Sequence, residues 1–166
     1  GPCLESVRAA TSGMAAEVIV VDNLSTDGSH DLVRDGFPWV RLIVNDHNAG
    51  FAKANNIGLG AASGRFVLFL NTDTVVPPGS LSALVGRLER RPEAGAIGPA
   101  LVRGGSGFQV SFGRGVGFLA ELRQKFVLNP YYRVVLKRSG KVRSVGWLSG
   151  ACLLARREAV EAAGRF

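Results

Sequence analysis

Apolar and polar positions follow two alternating rhythms over the first hundred residues. The β-branched run in "EVIVVDN" (Glu17 to Asn23) ends on an acid and an amide, "VRLIVN" (Val40 to Asn45) ends on an amide, and "FVLFL" (Phe66 to Leu70) runs into "NTD". Short apolar runs with polar tips predict buried strands. Between them the spacing changes. Leu4, Val7 and the alanines that follow predict a short helix. In "STDGSHDLVRDG", Ser25, Thr26 and Asp27 are N-cap candidates for a helix with Leu32 and Val33 inward and Gly36 as its stop. Small residues dominate Ala52 to Ser63, with Ala54, Gly58, Ala61 and Ala62 spaced to pack a helix tightly on a sheet, and Gly64 ends it. After Pro77 and Pro78, Leu81, Leu84, Val85 and Leu88 recur at helical spacing. "AGAIGPALV" (Ala94 to Val102) predicts a fourth strand.

This strand-helix alternation over residues 4–102 argues for a three-layer α/β/α fold with a mainly parallel central sheet and right-handed crossovers. Phe66 to Leu70 is apolar on both faces, which suits a central strand covered by helices. The chain of 166 residues is sized for one domain. Beyond Val102 the rhythm breaks into the glycine-rich "RGGSGFQVSFGRGVG", after which Phe118, Leu119, Leu122 and Phe126 predict a helix ending before Pro130. "VGWLSGACLLARREAVEAAGRF" then predicts a strand or turn through Trp147, a further apolar run, and a closing helix from Arg156.

Charge changes the picture in one region. The net charge is +7, yet residues 103–143 hold nine basic residues against Glu121 alone, a net +8, and the remainder is close to neutral. Lys and Arg interleaved there with Phe118, Phe126, Tyr131 and Tyr132 suit the headgroup region of an anionic membrane, beside the plainer reading of a solvated insertion. No stacking platform or reading-helix motif accompanies the basic stretch, so no nucleic acid is expected. No apolar run is long enough to cross a bilayer and no signal-peptide pattern opens the chain, which points to a cytoplasmic location, with peripheral contact at the inner face of the membrane. Cys3 and Cys152 lack metal-ligand spacing and read as reduced thiols.

The chemistry gathers at strand tips. In open α/β sheets ligands bind beyond the carboxyl ends of the strands, where Asp22 with Asn23 and Asn71 with Asp73 would line one crevice. A metal held by one or two carboxylates keeps its other positions for water and phosphate oxygens. The alternative is that each Asp is a turn former or helix cap, the role assigned to Asp27. His30 and His47 show no ligand spacing and read as surface residues, with His47 near the predicted ligand loop. A phosphohydrolase would need its aspartate nucleophile where Asn71 stands, and an amide cannot form the phosphoaspartate. A nicotinamide fold would need a glycine-rich turn that "VVDNLSTDGS" lacks.

Taken in order, "EVIVVDNLSTDGS", "NDHNAGFAKANNIGLGAASGRFVLFLNTDTVVPPGSL" and "GWLSGACLLARREAVEAAGRF" resemble the inverting GT-A-fold glycosyltransferases of family two, most of all the bacterial rhamnosyltransferase-like members. The resemblance covers most of residues 3–102 and resumes at Gly146. It implies a nucleotide-sugar-binding half over 3–102, a basic variable insertion over 103–143 and the start of an acceptor-side region over 144–166. It also implies that Asp22 recognises the nucleotide base, with Asn23 and Ser25 near the base and ribose. Asn48 and Gly50 correspond to the loop that approaches the nucleotide, and Lys53 is positioned to neutralise phosphate. Asn71 and Asp73 correspond to the metal-binding motif, with Asp73 on a divalent cation, Mn²⁺ or Mg²⁺. Trp147, Leu148, Ser149 and Gly150 correspond to the acceptor side.

The implied reaction is metal-dependent, inverting transfer of a sugar from a UDP- or dTDP-linked donor, with rhamnose the sugar of the nearest relatives, to a polysaccharide or lipid-linked saccharide. The rival from another class is a non-catalytic nucleotide- or nucleic-acid-binding domain using the 103–143 segment. Relatives begin with a strand where this sequence has its first helix. They continue past a stretch like "EAVEAAGRF" to an acidic pair that supplies the base, whereas Glu158 and Glu161 read as a solvated helix face. The expectation is therefore a piece of a longer enzyme, with the catalytic base beyond Phe166 and weak or absent turnover by these 166 residues alone.

Overall fold

Residues 1–104, 107–109, 111–113 and 142–166 are described by the structure, a computed structural model. The expected helix through Phe118 to Phe126 and most of the basic stretch lie outside the described residues. The first half alternates as its spacing predicts: α1 (Pro2–Ala10), β1 (Ile19–Asp22), α2 (Ser29–Gly36), β2 (Arg41–Val44), α3 (Gly50–Ala61), β3 (Phe66–Leu70) and α4 (Ser80–Glu89). Short strands follow: β4 (Ala96–Ile97), β5 (Leu101–Arg103), β6 (Gly107–Gln109), β7 (Phe112–Gly113) and β8 (Trp147–Leu148). The described chain closes with β9 (Cys152–Arg156) and α5 (Arg157–Ala162).

The faces of β3 explain the layering. Phe66, Leu68 and Leu70 pack with Val7 and Ala10 of α1, with Leu81, Leu84 and Leu88 of α4, and with Leu154. Val67 and Phe69 face the other way, onto Leu59 of α3, Ala155 of β9 and Val160 of α5. Alternate residues of one strand thus feed two cores, as a strand covered by helices on both sides requires. Leu88 has no exposed surface, and burying such a side chain contributes about 1.5–3 kcal/mol. Gly58 lets α3 sit closely on β1, since a Cβ there would already touch Val21 Cγ2 at 3.4 Å.

Three expectations are corrected. Among the described residues the strands form separate ladders rather than one mainly parallel sheet: β1 and β2 pair in parallel, while β9 lies between β3 and β4 and runs antiparallel to both. Among the described residues, β3 forms a ladder only with β9, in register from Phe66 opposite Arg156 to Leu70 opposite Cys152. The central strand of that sheet is therefore β9, whose Leu154 and Ala155 are nearly inaccessible. The predicted strand Ala94 to Val102 is broken into β4 and β5. Pro99 cannot donate to a ladder, and Gly98 packs where a Cβ would meet Leu148 Cδ2 at 3.2 Å. Finally, Leu32 points to solvent rather than inward, 58% exposed, and α2 has no buried residue. Eight residues form only two turns, too short a helix to hold a strongly buried face.

Both cysteines are free. Cys3 is half-buried and Cys152 buried. Burial, and secondarily the neighbouring Cys3 thiol, pushes Cys152 up to about 11, which keeps that thiol protonated and weakly nucleophilic. Among the described residues, no helix is long and apolar enough to cross a membrane.

Candidate functional site

The loop leaving β1 folds back on its own carboxylate. Ser25 donates its backbone N–H to Asp22 Oδ2 at 2.9 Å, and Leu24 takes a φ of 65° to close the turn. A left-handed leucine is uncommon and is tolerated where its surroundings fix it. The Ser25 hydroxyl and backbone N–H, with a smaller contribution from nearby His30, hold the Asp22 carboxyl below its ordinary range despite burial. Asp22 is therefore a buried, charged group at a strand tip. His30, read from sequence as a surface residue, is only one-third exposed, and its buried Nδ1 has no hydrogen-bond partner among the described residues.

Asn23 joins three elements. Its Oδ1 accepts the side-chain amide of Asn45 at 2.8 Å and the backbone N–H of Ala49 at 3.3 Å, while its Nδ2 donates to the Gly50 carbonyl at 3.3 Å. Asn48 Oδ1 accepts the Gly50 N–H at 3.0 Å. Gly50 has a φ of 78°, a conformation that favours glycine, and from it α3 begins without a side-chain cap. The structure thus brings Asp22, Asn23, Ser25, Asn48 and Gly50 together at the ends of β1 and β2.

The tip of β3 is a tight turn. The Asn71 carbonyl accepts the Thr74 N–H at 3.2 Å and the Thr74 hydroxyl at 2.6 Å, an i to i+3 closure that leaves Thr72 and Asp73 at its exposed centre. Asp73 finds no hydrogen-bond or ion-pair partner among the described residues. A free carboxylate on a fixed turn fits a hard divalent cation that takes its remaining ligands from water and phosphate. No group of three or more His, Cys, Asp or Glu side chains that could hold a metal unaided occurs among the described residues.

The Gly150 turn links these tips. Asn71 donates its backbone N–H to the Ala151 carbonyl at 3.0 Å, Ala151 donates to Ser149 Oγ at 3.2 Å, and Ser149 donates its N–H to the Ser111 carbonyl at 2.7 Å. Across the turn, the ring of Phe51 from the first turn of α3 sits against Gly150, where a Cβ would lie 3.3 Å from Cζ. Of the predicted acceptor-side residues, Leu148 packs beside Gly98, while Trp147 lies on Gly113, its partner across β7 and β8, and keeps 37% exposure.

Lys53 stands one turn along α3, exposed, beside a shallow depression of about 400 Å³ that it lines with His47, Ala49, Asn56, Ile57 and Arg165. Neither Asp22 nor Asp73 borders that depression. His47 is well exposed and paired to Asp46 at 2.5 Å. Sequence reasoning passed over Asn45 and Phe51. Asn45 ends its strand as Asn23 ends the run before, which was a usable signal; Phe51, an aromatic beside a site glycine, was a weaker one.

The glycosyl transferase family 2 model matches residues 1–164. An N-acetylglucosaminyl-diphospho-decaprenol L-rhamnosyltransferase of Mycobacterium tuberculosis is 34% identical over the whole chain, which covers 61% of that protein. The O-antigen biosynthesis protein RfbC of Myxococcus xanthus is 32% identical over 98% of the chain and 13% of its own length. Among solved structures, a mannosyltransferase of Pyrobaculum calidifontis in complex with GDP-Man and Mn²⁺ superposes with a TM-score of 0.61 at 24% identity, over 98% of this chain and 42% of that one. TarS of S. aureus gives 0.57 at 19% identity, over 98% and 44%. These two likenesses carry the fold alone, and it is the expected GT-A architecture. The chain spans less than two thirds of the length of each of these proteins.

Proposed function

The chain belongs to glycosyl transferase family 2, and from that premise we propose that it carries the donor-binding part of an inverting transferase moving a sugar from a nucleoside diphosphate to a saccharide acceptor. The observation that carries this reading is the pair of strand tips, with Asp22 buried and charged at one and Asp73 exposed and, among the described residues, without a hydrogen-bond or ion-pair partner at the other. The Asn71 to Ala151 hydrogen bond and the Phe51 contact with Gly150 join the two tips.

Asp22 accepts hydrogen bonds from the base, with Asn23 and Ser25 lining the base and ribose. Asn48 and Gly50 shape the loop that approaches the nucleotide, and the N-terminus of α3, whose Gly50 N–H is held by Asn48, offers its next N–H groups to phosphate oxygens. Lys53 adds positive charge on the same helix. Asp73, with Asn71 beside it, holds the divalent cation, Mn²⁺ or Mg²⁺. When bound, that ion stabilises the negative charge of the departing nucleoside diphosphate, so the leaving group needs no proton. None of the described residues is assigned as the base that activates the acceptor; Glu158 and Glu161 lie exposed on and around α5.

Rhamnose linked to dTDP, or a UDP-linked sugar, is the donor we propose, and a lipid-diphosphate-linked saccharide the acceptor, by analogy with the mycobacterial L-rhamnosyltransferase. Trp147, Leu148, Ser149 and Gly150 form the acceptor side. The protein then works from the cytoplasm at the inner membrane face, with the basic 103–143 segment as the membrane contact. Calorimetric titration of UDP and dTDP with and without Mn²⁺ tests the donor site. Metal-dependent binding that disappears in Asp73→Ala is the expected result; no binding by a folded chain under any condition overturns the reading.

A further inference from the structure

Phe51 is out of place for a large apolar side chain. It is 58% exposed on the first turn of α3, although that helix has a buried face that receives Leu59. Its position is not set by core packing. The backbone before it is fixed by the Asn23 and Asn48 hydrogen bonds to Gly50, and Asn55 donates its side-chain amide to the Phe51 carbonyl at 2.8 Å. The ring rests against Gly150, where a Cβ would lie 3.3 Å from Cζ and 3.5 Å from Cε1. Gly150 precedes Ala151, whose carbonyl holds Asn71, so the ring stands between the Asn23 cluster and the Asn71–Thr74 turn.

We propose that the exposed face of Phe51 is the apolar wall of a pyranose subsite, stacking on the C–H face of a sugar ring held between the two strand tips. The inference rests on the transferase reading. An aromatic face offers a sugar ring apolar contact without demanding hydrogen bonds that water supplies better, and its rigidity keeps the ordering cost low. Gly150 is the complementary feature, because a Cβ there would press on the ring at 3.3 Å and push it a few tenths of an ångström from its place. The sugar is either the one transferred or the one that receives it, and the two sources are separable by experiment.

Phe51→Ala and Phe51→Tyr are compared with wild type in the full protein, with dTDP, dTDP-rhamnose and N-acetylglucosamine diphosphate on a short prenol as calorimetric probes. Phe51→Ala is expected to leave dTDP affinity unchanged while weakening one sugar-bearing probe by about fivefold or more, with Phe51→Tyr near wild type. Selective loss for dTDP-rhamnose places the transferred sugar on the ring, and selective loss for the prenol probe places the acceptor there. Gly150→Ala, which crowds the ring, is expected to reproduce the same selectivity. Equal weakening of all three probes, or of none, overturns the proposal, while dTDP binding by wild type still supports the transferase reading. Failure of folded wild type to bind either dTDP or UDP, with or without Mn²⁺, overturns both.

Discussion

Asn45 donates its side-chain amide to Asn23 Oδ1 across 2.8 Å, tying together the residues that follow two adjacent parallel strands. The bond fixes the carbonyl that also receives the Ala49 N–H, so it orients the start of α3 as well as the tip of β1. Replacing Asn45 with Ala leaves Asn23 with one fewer donor and lets its amide rotate. A stability loss of about 1 kcal/mol is expected, the usual net worth of one such bond. Weaker dTDP or UDP binding should accompany it, because the Gly50 loop loses its anchor. Chemical unfolding together with calorimetry checks both parts, and unchanged affinity would remove Asn45 from the site.

The depressed Asp22 carboxyl makes stability depend on pH in a stated direction. A carboxyl whose folded value lies below its unfolded one stabilises the native state above the unfolded value, and that contribution is lost as pH falls through the folded value. Wild type should therefore lose stability on acidification below the ordinary carboxylate range, near pH 4. Glu17, Asp27 and Asp46 are also held low, so the diagnostic is a difference. Asp22→Asn, which keeps an acceptor for Ser25 but carries no titrating charge, should show a shallower decline between about pH 5 and pH 2. Urea unfolding of both proteins across that range measures it, and parallel curves would refute the assignment.

How much of this was legible in the sequence depends on the range of the forces involved. The tips of β1 and β3 were readable because a short continuous apolar run followed by Asp22-Asn23 or Asn71-Thr72-Asp73 is a local pattern. The capping role expected of Asp27 is corrected: Gly28 is the N-cap of α2 and makes no side-chain cap bond, while the Asp27 carboxylate accepts the Ser29 N–H at 3.0 Å in the turn just before the helix. Leu32 misled because a two-turn helix with few contacts has no strong inward face. The insertion of β9 between β3 and β4 was invisible, since nothing near Cys152 encodes a pairing with residues more than fifty positions away. The Phe51 contact with Gly150 belongs to the same class of long-range fact. Local rhythm specifies elements; strand order and ring placement come from which surfaces meet.

Gly113 and Trp147 are opposite one another across β7 and β8, with the indole lying directly on the glycine. A Cβ on Gly113 would come within 2.5 Å of Trp147 Cε2 and 2.9 Å of Cζ2, distances no real side chain tolerates. Gly113→Ala must therefore displace the indole, at about 1–3 kcal/mol if the hairpin survives. Fluorescence should report the move. A Trp39→Phe background leaves Trp147 as the sole tryptophan, and its emission is expected to shift to longer wavelength in Gly113→Ala. An unshifted spectrum at unchanged stability would mean that the two residues do not pack as described.

Arg156 closes the far end of the sheet and offers the sharpest separation of fold from site. Its guanidinium donates to three backbone carbonyls, Leu88 at 2.9 Å, Ala94 at 3.0 Å and Arg91 at 3.4 Å, and stacks over Phe66 at 5.6 Å from the ring centroid. Leu88 lies in the last turn of α4 and Arg91 just beyond its end, where the helix dipole favours a cation. Charge-assisted bonds of this kind are individually worth about 1.5–3 kcal/mol. Arg156→Met keeps the apolar stem and removes every donor, so a loss of about 2–4 kcal/mol is expected, with faster amide exchange from Leu88 to Ile97. Arg156→Lys should recover only part of it, because one ammonium cannot reach three separated carbonyls in the planar geometry of a guanidinium. The position lies opposite Phe66, at the other end of β3 from Asn71. Nucleoside diphosphate affinity, measured well below the unfolding temperature, should therefore stay unchanged in Arg156→Met while stability falls. A matching loss of affinity would show that the two ends of the sheet are coupled and that the tip of β3 is not rigid on its own.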